Sequence, residues 1–173
     1  MRLTVVYHRA FWESDGGYWE REGAFSRFVE ALAARVDVVE LVVPLTAKEV
    51  AGGHRLQADN VKLRALPDWL DLIEFYRRLP SMLVTLWLAA AGWQTVVIRV
   101  PTPLGFWAWL VARLRGVPTV LILVGDLAEV AETVTGSSWK RRLYRIWARI
   151  EDLLMRAMAR STLTFANGEA LWT

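Results

Sequence analysis

Apolar residues along this chain follow two rhythms. Short runs rich in Val, Ile and Leu occupy residues 3–8, 36–44, 61–66, 95–100, 119–124 and 162–166, each bounded by Gly, Pro, Asn or Asp. Val120-Leu121-Ile122-Leu123-Val124 and Val96-Val97-Ile98 are apolar without alternation, as strands buried on both faces of a parallel sheet must be. Between most of these runs the period lengthens to that of a helix. Phe25, Phe28, Val29 and Leu32 fall at i, i+3, i+4 and i+7, with Arg27 and Glu30 facing away. A second helix is predicted over 68–92, with a break or kink at Pro80. A third covers 104–115 and closes on Gly116, with Pro118 beyond it. A fourth covers 138–160, with Ser137 or Ser138 as N-cap. Residues 46–60, which include Gly52-Gly53, have no helical period and read as a long loop. Strands alternating with helices predict an α/β, Rossmann-like, doubly wound and mainly parallel sheet of about six strands. Helices would cover both faces, giving three αβα layers in one domain over 1–173. Ligands of such sheets bind beyond the carboxyl ends of the strands, near the point where strand order reverses. That selects the loops 8–18, 99–105, 125–137 and 167–169.

Composition narrows the class. The chain has 173 residues, 54% of them hydrophobic and 23% charged, which is a globular composition and excludes disorder. It has no cysteine, so disulfides and thiolate metal sites are excluded. Its start lacks the pattern of a signal peptide, and a cytoplasmic chain is expected. Residues 79–98 carry no charge and are long enough to span a bilayer. Pro80, Ser81, Gly92 and Gln94 interrupt them, and their last part has strand character. A buried helix followed by a strand is therefore favoured. Ten tryptophans fit core and helix packing, the alternative being an interfacial role.

Four local features follow one another along the chain. A strand precedes Asp15-Gly16-Gly17 and a helix ending in Leu32-Ala33-Ala34-Arg35-Val36-Asp37-Val38. Gln94-Thr95-Val96-Val97-Ile98 is a second feature, and Leu114-Arg115-Gly116-Val117-Pro118-Thr119-Val120-Leu121 a third. The fourth is Arg160-Ser161-Thr162-Leu163-Thr164-Phe165-Ala166-Asn167-Gly168-Glu169. In the order of these features essentially the whole chain resembles the N-terminal domain of a GT-B glycosyltransferase, most like glycosyltransferase family 4. The resemblance implies a retaining transferase using a nucleotide sugar, with a C-terminal donor-binding domain supplied in cis or in trans. It implies no metal and no cofactor in this domain, which alone would be inactive. It also implies a sugar or lipid-linked sugar acceptor, and a location in the cytoplasm or peripheral at the inner face of the membrane.

Candidate residues follow. Asp15, Gly16 and Gly17, read as a glycine loop between strand and helix, would let backbone amides approach a diphosphate and form a donor phosphate wall. The other reading is an ordinary turn. His8, at the end of the first strand, can contact an acceptor or stand as a satisfied strand-end histidine. Arg99 and Thr102, beside Pro101 and Pro103, are placed in the acceptor site, where Arg99 can pair with a phosphate or with Asp126. Many family members carry His just after the fifth strand, and Asp126 is the polar group nearest that point here. Asp126 is thus the catalytic candidate and Glu129 an acceptor contact, able to orient or deprotonate a hydroxyl. The same pair also fits a capping box. Two histidines, His8 and His54, do not make a histidine metal site.

Residues 137–160 carry seven Lys or Arg and two acids, net +5 in a chain of +3, leaving −2 for the rest. Arg141, Arg145, Arg149, Arg156 and Arg160 form one stripe with Arg142 beside it. Trp139, Leu143, Ile146, Ile150, Leu153, Leu154 and Ala157 form the opposite face, predicted to be buried. Arg141, Arg142, Arg145 and Arg149 are candidates for an anionic membrane surface, the alternative being a solvated basic face. Nucleic acid is not expected, because the basic face lacks interleaved aromatics. The alternative function is a non-enzymatic, peripheral membrane binding module.

Overall fold

The computed structural model describes residues 1–124 and 138–166, with Ser138, Lys140 and Arg141 described by backbone alone. Asp126 and Glu129 therefore lie outside the described residues. The elements are β1 (Arg2–Val6), β2 (Phe11–Ser14), β3 (Gly17–Glu20), α1 (Ala24–Ala33), β4 (Val38–Leu45), β5 (His54–Arg55) and β6 (Val61–Pro67). There follow α2 (Leu72–Ala90), β7 (Val96–Val100), α3 (Pro103–Leu114), β8 (Thr119–Leu123), α4 (Ser138–Ala159) and β9 (Leu163–Ala166).

Six strands run parallel in the order β6-β4-β1-β7-β8-β9. By place in the chain this is 3-2-1-4-5-6, the order of a Rossmann sheet. The predicted α/β class and parallel core are present. The described sheet has nine strands rather than about six, because β2 joins the end of β4 in parallel and β3 and β5 add to β2 in antiparallel succession. β5 arises inside the predicted 46–60 loop, held against β3.

Alternate residues of the central strands enter two separate cores. Val5, Leu41 and Val97 pack under α1 with Phe25 and Val29. Val6, Val42 and Ile98 pack under the other helices with Leu86, Leu104 and Met158. No helix links β4 to β6. The Asn60 amide instead donates to the Ala33 and Val36 carbonyls at 2.9 and 3.0 Å, closing the connection on the end of α1.

The charge-free segment 79–98 divides into the end of α2, a turn and β7, and among the described residues no helix is long and apolar enough to cross a membrane. Of the break or kink expected at Pro80, a break is absent: α2 runs through it. Proline removes one backbone donor, which would have bonded the Tyr76 carbonyl. Both residues are exposed, so that carbonyl is left to water. The end of α3 follows expectation. Gly116, at φ 68°, lets the Val117 amide reach the Ala112 carbonyl at 2.9 Å and close the last turn.

α3 lies close on β7 at Gly105. A Cβ there would stand 2.7 Å from Val100 Cγ1 and 3.2 Å from Thr102 Cγ2, both buried. Gly105→Ala would gain about 1 kcal/mol of helix propensity. Overpacking of this kind costs roughly 1–3 kcal/mol. We expect a net loss, read as a lower urea midpoint with an unchanged slope; a midpoint at or above the parent's would refute the close approach.

Candidate functional site

β1 and β7 are neighbours at the strand-order reversal, with Val6 opposite Ile98. His8 leaves the end of β1, and Arg99 projects from β7 on the α1 side of the sheet. Its guanidinium carbon lies 4.7 Å from the Tyr7 ring, 5.1 Å from Phe25 and 4.8 Å from Phe28. Three aromatic rings hold this cation. Among the described residues no carboxylate pairs with it, and its Nε is buried without a hydrogen-bond partner. Burial, above all, lowers its pKa from the ordinary value.

His8 packs edge-on against Tyr7 at 4.4 Å, and its Nδ1 is likewise buried and unpartnered. Burial first, then the charges of Arg9 and Arg99, pull its pKa down to about 4. The imidazole is therefore neutral at pH 7 and able to accept a hydrogen bond. Arg9 itself is paired with Glu22 at 2.8 Å.

Glu20, 2% exposed, lies near enough for its charge to act on Arg99. Its Oε2 accepts from the Ser26 amide at 2.8 Å and the Ser26 hydroxyl at 2.9 Å. The N-cap of α1, Gly23, supplies no side-chain bond, so a carboxylate from β3 satisfies a first-turn donor and favours the helix dipole. Sequence reasoning missed Glu20, Ser26 and the ring cage, because their pairing crosses elements.

Three predicted placements change. Asp15-Gly16 is the tight turn of the β2–β3 hairpin, with φ 51° and 66° and Ser14 opposite Gly17. Gly17 is a strand residue against Arg55. The glycine pair therefore does not open a helix; Gly23 does. Thr102 is 1% exposed, and its hydroxyl caps α3 by accepting from the Leu104 amide at 3.3 Å. It does not face a cleft. On α4 the buried side is Ala148, Glu151, Met155 and Met158, not the predicted apolar face. Trp139, Leu143, Ile146, Ile150, Leu153 and Ala157 are exposed, and so are Arg142, Arg145 and Arg149. Asp126, Glu129 and the 167–169 loop lie outside the described residues, and so does the Arg141 side chain.

The family model described as a glycosyl transferase 4-like domain matches residues 22–170. The chain belongs to this family. No curated protein matches the chain. Membership supports a glycosyltransferase function.

Two buried groups make folding depend on pH in opposite ways. His8 titrates near 4 in the fold and about 6.5 unfolded, so the unfolded chain binds more protons between those values and stability rises with pH there. Glu151, 3% exposed, is pushed up to about 7 by burial, against 4.5 unfolded. The folded chain binds more protons between those values, and stability falls with pH. Relative to the parent, His8→Gln should make stability fall more steeply from pH 4.5 to 6.5, and Glu151→Gln should make it rise. Urea melts across that range check both signs, and parallel curves for all three proteins would contradict the assignment.

Proposed function

We propose that the chain is the acceptor-side domain of a retaining, nucleotide-sugar-dependent GT-B glycosyltransferase. A C-terminal donor-binding domain would complete it, in cis or in trans. The observation that carries this reading is Arg99, a cation without a carboxylate partner among the described residues, beside neutral His8 at the strand-order reversal of the sheet.

In this reading Arg99 donates hydrogen bonds to the acceptor and His8 accepts from one of its hydroxyls. Asp126 orients or deprotonates the reacting hydroxyl, and Glu129 contacts the acceptor. The Asp15-Gly16 turn stands at the margin of the donor phosphates, where β2 leaves the carboxyl end of the sheet. Developing phosphate charge is stabilised by protein groups, and no metal is assigned. The acceptor is a lipid-linked or membrane-borne glycan, which places the enzyme peripherally at the inner face of the membrane.

The test is sugar transfer from labelled nucleotide sugars to lipid-linked acceptors, by the chain alone and by the polypeptide carrying both domains. Transfer is expected from the two-domain form only. Arg99→Met in that form should lower kcat/KM at least about 10-fold, the loss of a charge-assisted contact. Unchanged kcat/KM would remove Arg99 from the site. Absence of transfer by either form would favour the non-enzymatic binding module.

A further inference from the structure

The solvent side of α4 carries two parallel lines of side chains. Trp139, Leu143, Ile146, Ile150 and Leu153 follow at steps of four, three, four and three, a single line along a helix. All five are exposed, from 38% at Leu143 to 67% at Leu153. Arg142, Arg149 and Arg156 recur every seven residues beside that line, and Arg142, Arg145, Ile146 and Arg149 line one groove. The sheet-facing side is separately filled by Ala148, Met155 and Met158. Among the described residues the apolar line thus belongs to neither core.

An apolar line with this spacing can meet another helix or a lipid surface. Charge decides between them. The segment is +5 with both acids counted; of these Glu151 is buried and Asp152 is bonded to Arg156 at 2.9 Å, so neither faces Arg142 or Arg149. A second copy docked along the line would set two +5 helices side by side. An anionic bilayer would instead attract them, each basic residue near the surface adding about 1 kcal/mol. No described helix is able to cross a membrane, so α4 would lie along the surface.

We infer that α4 seats this domain in the headgroup layer of an anionic bilayer, its Trp139–Leu153 line sunk to the acyl boundary and its arginines on the lipid phosphates. The inference rests on the membrane-borne acceptor proposed above and names the surface that meets that membrane. It replaces a purely electrostatic contact by insertion.

The chain has no cysteine, so Ile146→Cys carries one environment-sensitive dye without further change. Vesicles of phosphatidylcholine, with and without phosphatidylglycerol, are the probe. With phosphatidylglycerol the dye should shift blue and be quenched by lipid-embedded quenchers, while the same dye at Asp152→Cys should not. Ile150→Asp should weaken partitioning at least about 10-fold, and Arg142→Gln or Arg149→Gln about fivefold each. Both classes of variant alter exposed positions, and circular dichroism confirms the fold. Binding with an aqueous dye at 146, no binding, or a dimer abolished by Ile150→Asp would each overturn the inference. Transfer by the two-domain enzyme to a detergent-dispersed acceptor should be untouched by Ile150→Asp. Failure of insertion is thereby separated from failure of the transferase reading.

Discussion

The handedness of the crossovers is the constraint on which this molecule depends. A strand, a connection and a parallel strand in one sheet turn to the right. β1 sits at the middle, and the chain first builds outward to β4 and β6, then returns to lay down β7, β8 and β9 on the other side. The first crossover puts α1 on one face. The later ones put α2, α3 and α4 on the other. Reversal of direction beside β1 leaves the ends of β1 and β7 free of a connection between them, and His8 and Arg99 occupy that gap. The same rule stacks three helices on one face, with α4 packed beside α3 at the margin of that layer. A marginal helix has more surface than the core can use, and among the described residues the Trp139–Leu153 line of α4 belongs to neither core.

The fold was legible where burial was complete. Val96-Val97-Ile98 and Val120–Val124 have no solvated face, so nothing interrupts their apolar run. α3 announced its end through Gly116, because left-handed backbone with no Cβ has few substitutes. The hairpin was obscured although Asp15-Gly16 is a strong turn signal. Its strands are four residues each and mix Trp and Phe with Glu and Ser, so neither rhythm emerges.

The site was legible one residue at a time. Arg99 and His8 stood out as polar groups at strand ends. Their surroundings did not, since Phe25 and Phe28 count equally as core residues in a helical pattern. Thr102 misled because a cap and a ligand contact use the same hydroxyl. On α4 the two possible apolar faces could not be ranked by sequence, and the buried one contains Glu151. An acid in the middle of a core-facing stripe hides that stripe, and only the fold reveals that its carboxyl is held near neutral pH by burial.

The ring cage around Arg99 has a bearing on how the cleft behaves in different media. An arginine held by a carboxylate loses its anchor when acid neutralises the partner, and salt weakens the pair. Phe25 and Phe28 have no proton to exchange, and their attraction for the guanidinium arises over a few ångströms beside a packed helix, where mobile ions do not intervene. The ring contacts of Arg99 thus keep their strength as acidity and ionic strength change, and only the smaller influence of neighbouring charges such as Glu20 responds to them.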